Sequence, residues 1–511
     1  MLGPLAGDSD KASVATWIGY LAMCLGMFMA ILDIQIVASS LPDIQVALHI
    51  PEDRLSWLQT SYLIAEVIAI PLTGWLARLL SVRGLFVAAA IGFTLASLGC
   101  ASSFDLAPLL IFRVIQGFCG GALIPVVFTS VFIMFPERSR LLATTIGGVF
   151  AMLAPTIGPV AGGYITETYS WHWLFLINLA PGILVAAVAW RYVRAEKPEW
   201  LLWTRLDYFS LALAAVCLAS LELGLKEGPG HHWTGLYVIG LLTICVITGV
   251  VVIRRCATHR DPIIDLRCFA DRQFSVGCFY SFILGMGLYG SVYLLPVYLA
   301  FVRQHTPLEI GTIMIVMGAA QLISAPFAAL AEKRLNRLWL TGFGYALFAS
   351  GLIANGFMTF ETDVAGLFWP QILRGSALLF CLLPTTTLAL ERQPPELVAS
   401  ASGLFNLQRN LGGAIGIALI DTILQQRVPV HVAWLVERLQ AGDPNAARIV
   451  GLPLKDFHNV PLGPISEETK ATVGPLVEQA ALVLSFNEAW LVIGGLFVLS
   501  LLALPLLRRA G

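Results

Sequence analysis

At 511 residues the chain is long enough for several soluble domains, yet 57% of it is hydrophobic, only 12% is charged and its mean hydropathy is +0.79. A water-soluble surface cannot be assembled from that balance. The formal net charge of -1 also excludes a nucleic-acid partner, which needs a clustered excess of Lys and Arg.

The first apolar run, 16–40, is longer than a signal-peptide core and has no basic leader or cleavage pattern, so it reads as a retained membrane span. Further runs follow at 55–77, 84–103, 106–134, 141–166, 172–192, 207–225, 234–254, 274–301, 308–331, 338–358, 365–390, 400–424 and 486–507. Each approaches the roughly 20 apolar residues that cross hydrocarbon, and their continuity predicts helices rather than alternating barrel strands. The expectation is an all-α integral membrane protein with 14 transmembrane helices, embedded in a cell membrane.

Basic residues concentrate in cytoplasmic loops. With both termini cytoplasmic, 20 Lys and Arg fall inside, among them Lys11, Arg78, Arg83, Lys197, Arg260, Arg508 and Arg509, against Arg54, Lys226 and Arg303 in short outside loops. Two charged connections, 193–206 and 255–273, bracket one pair of helices. They divide the chain into an N-terminal six-helix bundle (1–195), an inserted helix pair (196–260) and a C-terminal six-helix bundle (261–511). The last holds an outer segment, 425–485, whose polar, Pro- and Gly-containing composition fits a cap, a helical hairpin or a mobile loop equally.

Ionisable groups at bilayer depth are costly and mark function. Asp33 lies deep in the first run, Glu66 in the second, Arg113 in the fourth, Glu222 near the outer end of the seventh, Arg374 in the twelfth and Arg409 in the thirteenth. Asp33 and Arg113 are the candidate coupling pair: a change in their separation loads or releases a proton, although a permanent ion pair that only orients two helices is the plainer alternative. Glu66 shares a helical face with Tyr62 and reads as a second proton carrier, a contact for a cationic substrate or a structural hydrogen-bond partner. Arg374 and Arg409 either reach an interface or bind an anionic group. Asp421, near the outer end of its run, reads as solvated.

Gly148, Pro155, Gly158, Pro159, Gly162 and Gly163 crowd the fifth run, and Gly412, Gly413 and Gly416 occupy the matching place in the thirteenth. Such density permits close approach and bending inside a membrane, and matched interruptions in two halves suit a repeat-built transporter. An apolar cavity would draw on Gln35, Tyr62, Gln116, Phe150, Met152, Tyr289, Tyr293, Phe405, Arg374 and Arg409, with ordinary interhelix packing as the alternative for most of them.

Four motifs carry a resemblance. They are Leu32-Asp33-Ile34-Gln35-Ile36-Val37, Phe112-Arg113-Val114-Ile115-Gln116-Gly117, the fifth-run glycines through Gly162-Gly163, and Trp171-His172-Trp173-Leu174-Phe175-Leu176-Ile177-Asn178. With Ile70 to Arg78, including Gly74, they resemble the major facilitator superfamily in its fourteen-span drug:proton antiporter branch, of the EmrB/QacA type. Arg78 stands where the wider superfamily has an aspartate, and Gln35 and Ala38 replace a usual threonine and asparagine. The resemblance implies two six-helix bundles plus two additional helices around an alternately opening cavity, and multidrug efflux driven by the proton gradient without a cofactor. For Gram-negative relatives it also implies a periplasmic adaptor and an outer-membrane channel as partners. Proton-coupled uptake of a nutrient or siderophore is the competing transport reading, and a non-transporting receptor a third. No metal-ligand spacing, G-x-S-x-G, H-E-x-x-H or P-loop pattern supports an enzyme or an ATP-driven pump.

Overall fold

The computed structural model describes residues 12–194, 198–205, 207–259, 262–454, 457 and 467–507. Lys11, Lys197, Arg260, Arg508 and Arg509, with the expected boundaries at 195–196 and 260–261, lie outside the described residues. Among the described residues the long elements are all helices and no strand occurs.

The first half opens with α1 (Val14–Ser39), capped where Ser13 accepts from the Thr16 amide. Short α2 (Leu41–Leu48) and α3 (Glu52–Leu55) lead to α4 (Trp57–Ala101), α5 (Leu106–Met134), α6 (Glu137–Thr168), α7 (Trp173–Leu176) and α8 (Leu179–Tyr192). The inserted pair is α9 (Tyr208–Glu227) and α10 (Leu236–Thr258). The second half comprises α11 (Arg272–Phe301), α12 (Pro307–Arg334), α13 (Arg337–Ala354), α14 (Val364–Leu390), α15 (Val398–Gln440), α16 (Pro444–Val450) and α17 (Glu467–Ser500).

Twelve helical segments among the described residues are long and apolar enough to cross a membrane. One of them, α4, runs 45 residues and breaks at Ser81, where φ is 68 and ψ is 159. Before the break, Tyr62 and Glu66 lie against Gly117 and Gly121 of α5, so the two segments are parallel; after it, Gly92 and Gly99 meet Cys119 and Phe112, so the chain has reversed. Each limb is itself of crossing length at about 1.5 Å per residue. Helix α15, 43 residues long and interrupted by Arg409 and Asp421, is not among the twelve. The protein is thus a multi-pass membrane protein with twelve to fourteen candidate membrane helices.

The end of α15, with α16 and the start of α17, forms its own apolar cluster of Leu435, Leu439, Ala447, Val450, Val477 and Ala480. Arg427 clamps Glu488 through two hydrogen bonds of 2.6 and 2.8 Å, and His431 adds a third contact at 3.1 Å. In its described residues the segment 425–485 is therefore a packed helical hairpin. Its polar face hid the i, i+4 apolar stripe of Leu435 and Leu439.

The inserted pair docks against the seam between the halves. Lys226 of α9 sits 4.9 Å from the Trp57 ring, and Trp233 donates to Thr422 of α15 at 2.9 Å. Outside the membrane segments, Asp207 holds the pair together: it caps the Ser210 amide and accepts from Arg255 at 2.8 Å. Burial pushes its carboxyl up, but hydrogen bonds from Ser210 and Arg255 outweigh that and hold it at about 2. Asp207→Ala is expected to cost about 1–2 kcal/mol in thermal stability for the lost cap and half-exposed ion pair. Because the folded pKa is depressed, the contribution is complete above the unfolded value of about 3.9 and fades as pH falls below it. Melting curves of wild type and variant should therefore differ at pH 7 and converge only at strongly acidic pH.

The two halves meet at both ends. At the end bearing Arg78 and Arg83, a Cβ added to Gly74 would sit 2.5 Å from Ser400 Oγ and 2.7 Å from its Cα. At the opposite end, a Cβ on Gly311 would sit 2.5 Å from Val160 Cγ2 and 2.7 Å from its Cα.

Candidate functional site

The polar core of the first half begins on α5, where Arg113 and Gln116 are three residues apart and so share a face. Arg113 Nη1 donates to Asp33 Oδ2 at 2.6 Å and to Gln116 Oε1 at 2.7 Å, and its Nε donates to the Leu58 carbonyl at 3.1 Å. Asp33 Oδ1 accepts from Gln116 at 2.9 Å and from Asn178, the residue before α8, at 2.7 Å. Gln116 also donates to Ser97 at 2.8 Å. Asp33, Arg113 and Gln116 are each 0% exposed.

Tyr62 supplies the floor. Its ring lies 4.3 Å from the Arg113 guanidinium and its hydroxyl donates to the Ala30 carbonyl at 3.1 Å. The approach requires Gly117, whose absent side chain admits the Tyr62 carbonyl. Four elements, α1, α4, α5 and the start of α8, thus build one network around the Asp33 carboxylate. The carboxylate oxygens are held by donors from α5 and from the residue before α8, so the arrangement depends on how those elements sit against α1.

A second polar group bridges the halves. Asn410 of α15 donates to Glu66 of α4 at 3.4 Å and accepts from Tyr289 of α11 at 3.2 Å. Arg409 bonds Asn406 and lies 5.8 Å from the Phe128 ring of α5. Ser402 donates to the Pro125 carbonyl at 2.9 Å, tying α15 to α5. Glu222 of the inserted pair is close enough to interact electrostatically with Glu66.

The other sequence candidates fall in varied places. Tyr62 and Gln116 point into the first half, where Tyr62 shares with Glu66 the face of α4 that packs on α5, while Glu66 also reaches Asn410 of the other half. Phe150 packs edge-on against Phe28 and borders a groove with Leu21, Leu25 and Leu184 on the membrane face. Gln35 covers Gly158, whereas Met152 and Phe405 are buried, Phe405 giving its carbonyl to Ser281. Gly148 faces Leu379 and Leu382 across the halves, Pro155 and Pro159 lie buried within α6, and Gly162 offers its carbonyl to Ser40 with Gly163 beside it. Tyr293 donates to Asp421 at 2.7 Å, so Asp421 is engaged rather than simply solvated. Arg374 is fully buried within the second half and reaches no interface. Sequence reasoning missed Ser97, Asn406 and Asn410, and quoted Asn178 without a role. Asn406, Arg409 and Asn410, at i, i+3 and i+4 in a run of small and apolar residues, were a readable polar stripe.

Two helical halves meeting at a polar seam, with an ion pair buried at bilayer depth in one of them, define a repeat-built membrane carrier. The chain belongs to the Major Facilitator Superfamily, whose sequence profile matches residues 23–417. Within it the chain is of the EmrB type. It is 41% identical over 422 residues to the colistin resistance protein EmrB of Acinetobacter baumannii, covering 82% of each chain. It is 31% identical over 484 residues to the multidrug export protein EmrB of Escherichia coli K12, covering 94% of this chain and 93% of that one. The fold matches the xylose transporter XylE from E. coli in a partially occluded inward-open form with a TM-score of 0.58 at 13% identity, over 98% of both chains.

Proposed function

We propose that the protein is a proton-coupled antiporter that exports small amphipathic or hydrophobic compounds, with 14 membrane crossings and both termini cytoplasmic. The reversal within α4 and the length of α15 support that count beside the twelve unambiguous segments. The multidrug-export relatives support the direction and breadth of transport.

The buried Asp33–Arg113 pair carries the reading. Asp33 takes a proton when the halves open outward and its donors draw away, and returns it when Arg113, Gln116 and Asn178 close again on the inward side. Glu66, held by Asn410 from the other half, is the second ionisable group whose environment changes as the seam opens. Energy comes from the proton gradient, with no cofactor. A periplasmic adaptor and an outer-membrane channel are proposed partners, and the hairpin of α15, α16 and α17 is the surface offered to them.

The direct test is purified protein in liposomes with an imposed pH gradient, screened against hydrophobic drugs, organic acids and siderophores. Solute movement against proton flow is expected. If no solute couples to acidification, the exporter reading fails; if solute and proton move together, uptake by symport replaces it.

A further inference from the structure

The second half buries an arginine that no acidic group among the described residues neutralises. Arg374 is 0% exposed, and its Nε, Nη1 and Nη2 have no hydrogen-bond partner among the described residues. Other buried polar atoms in the same condition lie on the same helix, one turn away, and on the neighbouring elements: both amide atoms of Gln371, both of Asn355 and the indole nitrogen of Trp490. The guanidinium lies 4.8 Å from the Trp490 ring. Helix packing fixes this neighbourhood, since a Cβ on Gly351 would sit 2.7 Å from Arg374 Cγ, and Gly356, next to Asn355, meets Leu491, next to Trp490.

The repeat makes the contrast with the first half exact in register. Gly117 of α5 receives the Tyr62 carbonyl of α4, and Gly375 of α14 receives the Met317 carbonyl of α12. Arg374 therefore occupies the place of Gln116, and Gln371 that of Arg113. In the first half α1 supplies Asp33; α11, the first helix of the second half, contains no Asp or Glu at all. The nearest acid in sequence to Trp490, Glu488, is already engaged by Arg427 and His431.

A guanidinium cannot shed its charge, and a buried one without a counter-ion is strongly unfavourable. Ten N–H donors on Arg374, Gln371, Asn355 and Trp490 outnumber their two amide acceptor oxygens. We infer that this cluster is a binding site for a small monovalent anion, either a halide or the carboxylate of an organic acid, held by Arg374 inside the second half. This goes beyond the exporter reading and does not depend on it.

The test is thermal melting of the purified full chain in chloride or acetate, titrated against sulfate at matched ionic strength. A saturable rise of a few degrees is expected for wild type. A response to chloride alone identifies a halide site, and a response to acetate a carboxylate site; either supports the proposal. Arg374→Gln is expected to melt no lower than wild type in sulfate, because it removes the uncompensated charge, and to lose the saturable response. Trp490→Phe, which keeps the ring and removes one donor, is expected to raise the half-saturating concentration several-fold. An anion-independent wild type, or an undiminished response in Arg374→Gln, overturns the proposal whether or not proton-driven transport is found.

Discussion

Asp33→Asn is expected to abolish proton-driven exchange and also to destabilise the protein by about 3–5 kcal/mol, the typical cost of stripping one partner from a buried ion pair. The substitution is nearly isosteric, so the loss is electrostatic. The new amide presents an N–H where Arg113 Nη1 needs an acceptor, and the guanidinium remains charged at 0% exposure. Arg113→Leu is expected to be milder for the fold, because the stranded Asp33 can neutralise itself by keeping a proton, yet equally damaging to exchange. The double variant Asp33→Leu with Arg113→Met removes both charges and is expected to recover most of the stability and none of the coupling. Melting temperature in detergent and pH-dye fluorescence in liposomes read the two properties separately. Exchange at the wild-type rate in Asp33→Asn would remove this carboxylate from the mechanism, and a fully stable Asp33→Asn would show that Arg113 is better solvated than its burial indicates.

The second large effect comes from the close approaches between the halves. Gly74 against Ser400 and Gly311 against Val160 bring backbone to backbone at opposite ends of the molecule, leaving no room for a β-branched side chain at either. Overpacking of this kind costs about 1–3 kcal/mol in the conformation that keeps the contact. It costs nothing in a conformation that opens there. Gly74→Val is therefore expected to favour the form open at the Arg78 end, and Gly311→Val the opposite form, each by roughly 5- to 150-fold in population. Thiol labelling of Ser402→Cys and Thr156→Cys, in a background lacking native cysteines, reads the two ends. The two wedges should shift labelling in opposite directions and both should slow exchange. Identical labelling in both variants would mean that the two contacts do not alternate.

Much of this was legible in the chain because membrane insertion depends on local quantities. The α4 break at Ser81 falls between two separately apolar runs, and the glycines at 117 and 158 sit where a neighbouring helix leaves no room for a Cβ. The hairpin at 425–485 was less legible, since its apolar positions are few and become a core only when α15, α16 and α17 are brought side by side.

Arg113 and Arg374 show where local reading stops. Each lies early in an apolar helix, and in both helices a glycine follows by which the neighbouring carbonyl enters. The sequence by itself determined that the protein is helical and membrane-spanning, because hydrophobicity and residue size act over a few turns. Only the tertiary structure decided that one arginine meets an aspartate 80 residues away while the other meets none among the described residues. That outcome depends on the order and rotation of packed helices, and ion pairing acts over a few ångströms in space, whatever the separation along the chain.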